Sequence, residues 1–421
     1  MNEPEMVKAM VKIGETVGDI FGGYPFKNYW FLSNFRLIPS RGGLEHRNST
    51  MIHGTSDQYR ERAQWENFER LVIHEYFHAW NVKAIQDTAL RQGIDYQNET
   101  YTKLLWVHEG WTNFYHAQVM MRAGFWDDKR LLKDWADKIT SMRDTPGHKV
   151  QSLSDASFHA WIHYYRKTET RNNSQVSYYR GGALSALCLD LMIRHQTKNR
   201  KSLDDVMRHL YQDYAVEGKG ISIEAINQVL DTMVGSAGRN FLDHYVHKPN
   251  SLPFEDMLSY AGIRMEYVDP DKKDKKDGDS KDQAEDKKDG AQGKKAKTPP
   301  KPKPFKPHPP VELGVKTYFR ESAVVVSDVP RDGMGWQAGL DFGDEILAIN
   351  KRRISKHNFK KSLAWFMPGE KVMLLVNRGN KILEIELTLP EKPKKLKLVL
   401  RKDADDLQRS IYNSLFKGVK Q

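Results

Sequence analysis

Apolar residues recur at three- and four-residue spacing over the first two thirds of the chain, which is typical of helices with one buried face. This spacing predicts helices at residues 65–85, 101–123, 176–195, 203–214 and 223–233. Aromatic and apolar residues between 29 and 52 flank Gly42-Gly43, which predicts strands joined by a turn. After residue 311, short apolar runs separated by turn residues predict strands at 323–327, 345–349, 371–376 and 381–387. The pattern therefore indicates a multidomain α+β protein, mainly helical first and β-rich afterwards.

A change in composition marks the boundary between the two regions. Residues 269–310 are rich in Lys and Asp and then in Lys and Pro, and Phe305 is their single large apolar residue. Such a segment cannot bury enough surface to offset the entropy lost on ordering, so we expect a disordered linker. It separates a domain at 1–268 from a second domain at 311–392, which is followed by a partly helical tail at 393–421.

The charge distribution argues against nucleic acid as a partner of this protein. The net charge is +11, yet residues 1–268 hold 32 Lys and Arg against 32 Asp and Glu, so the excess lies in the linker and beyond it. No apolar run approaches the ~20 residues that span a bilayer, so we expect no integral membrane segment. The opening residues, Met1 to Glu5, are acidic and polar, so we expect a soluble protein, cytoplasmic or exported if a leader is missing. The single cysteine, Cys188, excludes a disulfide framework and a Cys-rich zinc module.

The residues that point to chemistry lie within the first long helical pattern. His74-Glu75-Tyr76-Phe77-His78 has the form HExxH. Residues four apart share one face of a helix, so both imidazoles can bind the same metal ion. Glu75 then lies beside the metal without binding it and is suited to accept a proton from water.

A third protein ligand is needed for such a metal, and Glu109 is our candidate. It lies in the apolar segment Leu104 to Trp111, where a charged side chain is costly unless it is paired or bound to metal. His108 is the competitor, because imidazole is also a zinc ligand. Adjacent residues of a helix point about 100° apart, so only one of the two can face the site.

Five segments together resemble the glycyl aminopeptidase family of PDZ-containing zinc metallopeptidases, which belong to the gluzincin group. The matching segments are GGLEHRNST (42–50), HEYFHAWNVKAI (74–85), LLWVHEGWTNFY (104–115), ASFHAWIHYYR (156–166) and SYYRGGALSALCLDLMIR (177–194). The resemblance implies a mainly helical, thermolysin-like catalytic domain with one Zn²⁺ per chain. His74, His78 and Glu109 would be its zinc ligands and Glu75 its general base.

The same resemblance implies roles for three further positions. Tyr179 would support the oxyanion of the tetrahedral intermediate, with Tyr178 as the alternative. Glu45 corresponds to the carboxylate that binds the free α-amine of the substrate. Gly43 would let the backbone run close beside that substrate.

The second domain resembles a PDZ domain, most specifically at 338–350. Leu313, Gly314 and Val315 match its carboxylate-binding loop, where backbone N–H groups can bind a peptide C-terminus. The alternative is a packing module without a ligand. Family members usually have a β domain before the catalytic region, and we expect that in this chain it is either truncated or absent.

We therefore expect a zinc aminopeptidase that hydrolyses the N-terminal bond of peptides, with a preference for small residues such as Gly or Ala. One alternative is an endopeptidase, in which Glu45 does not anchor an amine. The other is a PDZ peptide-binding protein whose catalytic domain is inactive. Peptide substrates, and peptide C-termini at the PDZ domain, are the expected partners.

Overall fold

The computed structural model describes residues 3–56, 61–93, 95–166, 168–269 and 309–417. It divides the chain into two compact units, of which the first comprises Met1–Tyr267 with Leu396–Gln421 and the second comprises Val268–Lys395. The predicted linker at 269–310 lies, except at its two ends, outside the described residues. Its predicted disorder therefore stays a prediction.

The first unit is mainly helical. Its helices before the second unit are α1 (Glu3–Phe21), α2 (Arg62–Phe77), α3 (Thr88–Arg91), α4 (Thr112–Arg122), α5 (Asp128–Arg143), α6 (Leu153–Phe158), α7 (Arg171–Ser174), α8 (Tyr178–Gln196), α9 (Leu203–His209), α10 (Ile223–Val234), α11 (Ser236–Tyr245) and α12 (Phe254–Ser259). Three segments form π-helix, namely Trp106–Trp111, Ala160–Tyr164 and Leu210–Val216, and Pro146–Lys149 forms a 3₁₀-helix. The predicted helix at 176–195 corresponds closely to α8, which begins after a Ser177 side chain that accepts a hydrogen bond from the Arg180 N–H.

The predicted helix at 65–85 is wrong at its C-terminal end. Helix α2 ends at Phe77, inside the HExxH motif, and residues 78–85 continue as turns. The apolar spacing continues past that point because these residues also enter the core, where Ala79, Trp80 and Ile85 are almost fully buried. The spacing of buried residues therefore continues beyond the end of the helix.

Three strands form a small sheet against α2. They are β1 (Trp30–Arg36), β2 (Gly42–Glu45) and β3 (Ser49–Thr55), and their order in the sheet is β1-β3-β2. The turn predicted at Gly42-Gly43 is wrong, since both glycines lie within β2, with Gly43 opposite Ile52. Among the described residues, strand β2 pairs with β3 on one side only, so its other edge has backbone groups outside the sheet pairing.

The second unit is β-rich, as predicted. Its strands are β5 (Lys316–Arg320), β6 (Ala323–Asp328), β7 (Glu345–Ile349), β8 (Arg352–Arg353), β9 (Lys371–Arg378) and β10 (Lys381–Thr388). They form one antiparallel sheet in the order β10-β9-β7-β6-β5, with β8 paired to β7. Two short helices, α13 (Met334–Ala338) and α14 (Phe359–Leu363), accompany the sheet. β5 is therefore an edge strand.

The end of the chain returns to the first unit. Strand β11 (Lys395–Leu400) pairs with β4 (Ile263–Val268), and α15 (Asp406–Lys417) buries Ile411 and Leu415 in the first hydrophobic core. The buried Arg194 donates to Ser414 Oγ at 2.9 Å and also pairs with Asp190. The first unit is therefore built from two separate stretches of sequence. Among the described residues, no helix is both long enough and apolar enough to cross a membrane.

Candidate metal centre

Three side chains meet at one point where α2 ends and the π-helix Trp106–Trp111 begins. His74 Nε2 lies 3.1 Å from Glu109 Oε2 and 3.1 Å from His78 Nε2. His78 Nε2 lies 3.4 Å from the same Glu109 oxygen. These three atoms form a nearly equilateral triangle that can hold one metal ion. We call His74, His78 and Glu109 the metal triad.

The electrostatics of the metal triad favour a cation. Burial opposes ionisation of Glu109, yet the nearby His78 and His74 hold the pKa of its carboxyl well below the usual range. Burial alone would lower the pKa of His78, but Glu109 outweighs it and raises that pKa to about 9. The pKa of His74 is lowered by burial and by the charge on His78. The carboxylate thus draws a positive charge into the triad, either as a proton on His78 or as a metal ion, and the two compete.

Asn81 links His78 to the segment that carries Glu109. The Nδ1–H of His78 donates to the Asn81 carbonyl oxygen at 2.7 Å, which leaves Nε2 free as the ligand atom. The Asn81 amide, fully buried, donates to the Val107 carbonyl at 3.0 Å and to Thr112 Oγ1 at 3.1 Å. One residue therefore fixes the tautomer of a histidine and ties it to the segment that carries Glu109.

His108 points away from the metal triad. Its ring is buried, with Nδ1 at 3.2 Å from Asn81 Oδ1 and Nε2 at 3.8 Å from Asp87 Oδ2. The carboxylate of Glu109, rather than the imidazole of His108, lies beside His74 and His78. The π-helical geometry of Trp106–Trp111 sets this choice, and π-helical turns often occur at functional sites.

Glu75 is buried beside the metal triad and against strand β2. A Cβ atom placed on Gly43 would lie 2.3 Å from Cδ of Glu75 and 2.4 Å from its Oε1, so a larger residue there would displace the Glu75 side chain or the strand. Burial, together with the negative charges of Glu45 and Glu109, raises the pKa of Glu75 to about 7 against the opposing effect of His78. Strand β2 and a carboxylate that can take up a proton are therefore in direct contact.

Glu45 ends strand β2 on the same side of the site. Its carboxylate belongs to a cluster with Glu75 and His78 whose ligand atoms lie within 4.8 Å of one another. Lys83 Nζ lies 3.0 Å from Glu45 Oε1, and both side chains are partly buried. Burial opposes ionisation of Glu45, but His78 and Lys83 outweigh it and lower its pKa. The structure thus places the negatively charged carboxylate of Glu45 within 4.8 Å of the Glu75 carboxyl group.

The two tyrosines at the start of α8 have different surroundings. The ring of Tyr179 lies 6.4 Å from that of His74, centroid to centroid, whereas the hydroxyl of Tyr178 lies 3.5 Å from that of Tyr165. Burial and the charge on Glu109 raise the pKa of Tyr179 far above its usual range, so its phenol stays protonated. It is therefore a neutral hydrogen-bond donor near the metal triad.

Close packing of two glycines brings α8 to the metal triad. A Cβ atom on Gly110 would lie 2.5 Å from the Cα of Gly182, and one on Gly182 would lie 2.4 Å from the Trp106 carbonyl oxygen. The π-helix and α8 consequently approach backbone to backbone, which no larger residue would permit. This contact positions the Tyr178-Tyr179 pair beside Glu109.

Sequence reasoning did not single out Asn81, Lys83 or the Gly110–Gly182 contact. Asn81 is a polar residue within the apolar run from Phe77 to Val82, which was a usable sign of a buried hydrogen-bonding role. Lys83 had no such sign, because its relevance depends on Glu45, which is 38 positions away in the sequence.

Comparison with known proteins identifies a peptidase. Residues 67–185 match the model of the M61 glycyl aminopeptidase family. The crystal structure of an aminopeptidase N family protein from Idiomarina loihiensis matches with a TM-score of 0.81 and 27% identity, over 99% of this chain and 67% of that one. The chain thus has the mixed helix-and-sheet fold of an aminopeptidase.

Shorter matches concern a fifth of the chain. The HtrA-type protease AlgW with a decapeptide is 26% identical over 20% of this chain and 30% of that one, with a TM-score of 0.19. A serine endoprotease from Yersinia pestis is 26% identical over 19% of this chain and 30% of that one, with a TM-score of 0.16. No curated protein matches the sequence.

Proposed function

We propose that the chain is a zinc-dependent aminopeptidase that removes the first residue of peptides, because residues 67–185 match the M61 glycyl aminopeptidase family and the fold matches that of an aminopeptidase N family protein. The observation that carries this proposal is the position of Glu45. A carboxylate close to both Glu75 and His78 can bind a free α-ammonium and bring the first peptide bond, and only that bond, to the reacting groups.

The donor atoms of the metal triad fit zinc. Ligands at about 2.0–2.1 Å in a tetrahedral zinc site lie roughly 3.3 Å from one another. The separations of 3.1, 3.1 and 3.4 Å in the triad agree with that value. Two imidazoles and one carboxylate also form a donor set of catalytic zinc sites, which keep a fourth position open. We propose one zinc ion per chain, held by His74, His78 and Glu109.

Zinc bound there would supply a Lewis acid for the scissile carbonyl and would lower the pKa of an attacking water. The protein's own groups move the proton. Glu75 accepts it from the water and donates it to the departing amine. The Tyr179 phenol donates a hydrogen bond to the oxygen on which negative charge develops. Gly43 leaves the edge of β2 open for the backbone of an extended peptide.

Binding of the α-amine by Glu45 does not determine which side chain the first residue of the substrate has. The resemblance implies a preference for Gly or Ala, and we propose that these small residues are accepted. They need no pocket beyond the contact with Glu45.

The experiment is a comparison of kcat/KM for alanine anilide and its N-acetylated form, on the unmodified enzyme and on Glu45→Ala. Acetylation removes the positive charge, so we expect a loss on the order of 30-fold or more for the unmodified enzyme. Glu45→Ala should lose a similar factor on the free amine and little on the blocked substrate. Equal rates on the two substrates by the unmodified enzyme would favour the endopeptidase alternative. Complete inactivity with zinc bound would favour a peptide-binding protein.

For the second unit we propose a PDZ domain, bounded by residues 311 and 392, that binds peptide C-termini. Leu313, Gly314 and Val315 lead directly into the edge strand β5, which can accept a peptide as an additional strand. Gly314 has a φ of +68°, which turns the loop into that strand. Titration with a peptide and its C-terminal amide tests the proposal, since only the free carboxylate should bind.

A further inference from the structure

A cavity of about 460 Å³ in the first unit is lined by Lys83, the residue that contacts Glu45. That volume is within the range of about 300–1,000 Å³ typical of small-molecule sites. Three cationic side chains line it, from the segment after β2 (Arg47), the turns after α2 (Lys83) and the end of α3 (Arg91). None of the described residues that line it is acidic. We call this cavity the cationic pocket.

The cationic pocket adjoins the proposed amine-binding position. Lys83 is one of its walls and also contacts Glu45 at 3.0 Å. Glu45 in turn lies in the cluster with Glu75 and His78. A substrate whose α-ammonium binds Glu45 can therefore direct its first side chain towards Lys83, which is one wall of this pocket.

The positive charges that line the pocket favour the binding of an anion. Within the described parts of the chain, the guanidinium groups of Arg47 and Arg91 have no acidic partner, and Lys83 has Glu45 alone. When a substrate ammonium binds Glu45, it shares the counter-charge of Lys83. Three cations then face one cavity, an arrangement that a bound anion would relieve.

A carboxylate on the first residue can reach past Glu45 to Lys83, which contacts Glu45 directly. In an extended glutamate side chain, the carboxylate lies about 4–5 Å from the α-nitrogen. The peptide's C-terminal carboxylate lies beyond the scissile bond, on the side of the substrate away from Glu45. The first-residue side chain is therefore the source that reaches the pocket.

We propose that the cationic pocket binds the side-chain carboxylate of an acidic first residue, so that N-terminal Glu and Asp are substrates in addition to small residues. Lys83 and Arg47 are specificity-determining residues in this assignment. The assignment rests on the proposed aminopeptidase function, because it uses Glu45 as the amine anchor.

The test compares kcat/KM for the anilides of Glu, Gln and Ala with the full-length zinc-loaded enzyme. Glu and Gln have nearly the same shape, so their ratio isolates the charge. We expect Glu to exceed Gln by about tenfold at low salt, with a smaller ratio at high salt. Lys83→Met and Arg47→Gln should each bring the ratio towards one. Lys219→Met is the matched control, since it removes one charge of the same unit outside the pocket, and it should keep the ratio.

The outcomes distinguish a failure of the pocket assignment from a failure of the proposed aminopeptidase function. If alanine anilide is cleaved but Glu is no better than Gln, the pocket assignment is wrong and the aminopeptidase stands. If no free-amine substrate is cleaved, both are wrong. A Glu preference that survives Lys83→Met and Arg47→Gln would place its origin elsewhere and overturn the assignment.

A second arm uses Ala-Ala and its C-terminal amide. A Lys83-dependent preference for the free dipeptide, without a Glu preference, would assign the pocket to the peptide C-terminus and refute the proposal. Thermal unfolding of each variant verifies that the ratios come from folded protein.

Discussion

Replacing Gly43 by alanine should damage catalysis without removing the metal. The new Cβ atom would lie 2.3 Å from Cδ of Glu75, whereas non-bonded carbons approach to about 3.5 Å. Either Glu75 or strand β2 must therefore move by roughly 1 Å. A misplacement of that size can lower a rate by about 10²-fold. The metal triad is not touched, so zinc content should stay at one per chain.

Gly42→Ala is the matched control on the same strand. A Cβ atom at Gly42 would meet nothing within 4 Å, so we expect kcat/KM within about twofold of the unmodified enzyme. The assay is alanine anilide hydrolysis, accompanied by elemental analysis and by thermal unfolding of all three proteins.

Two results would refute the reasoning. Gly43→Ala with nearly full turnover would show that the close approach to Glu75 is not needed for catalysis. An equal loss in Gly42→Ala and Gly43→Ala would mean that the strand as a whole, rather than contact with Glu75, controls the rate.

Three other substitutions test the metal centre. Glu75→Gln keeps the shape of the side chain but removes the base, so zinc should be retained while kcat falls by at least about 10²-fold; near-normal turnover would exclude Glu75 as the base. His78→Ala should reduce zinc, measured by elemental analysis after dialysis, to well below one per chain, and full retention would contradict the ligand assignment. Asn81→Ala should weaken zinc binding by about 10–100-fold in a chelator competition, because the Glu109 segment loses its tie to His78; unchanged affinity would make Asn81 a purely structural residue.

The core of the candidate site could be predicted because its signals are local. Two histidines four apart share a helix face whatever the rest of the fold does, and His74 and His78 need only one helical turn. Glu109 was predicted from the cost of burying a carboxylate in an apolar segment, which is again a property of neighbouring residues. Both signals can be recognised in the sequence without knowledge of the tertiary structure.

The features that were missed depend on residues distant in sequence. The turn expected at Gly42-Gly43 follows from local propensity, but the strand observed there is imposed by pairing with β3 and by contact with Glu75. The end of α2 at Phe77 was hidden because the following residues are also buried. Likewise, nothing near residues 406–417 indicates that their apolar face packs in the first unit. Local sequence patterns predict which residues are buried, but they do not predict which part of the fold packs against those residues.

The return of the chain end to the first unit sets an order of events during synthesis. Helix α15 packs against α4 and α8, the helices that follow Glu109 and that begin with Tyr178-Tyr179. A ribosome makes these helices before the second unit and α15 after it. Until then, the apolar surface that α15 covers is open to solvent. The peptidase unit therefore completes its packing only when residues 406–417 have emerged, after His74, His78 and Glu109 have been synthesised.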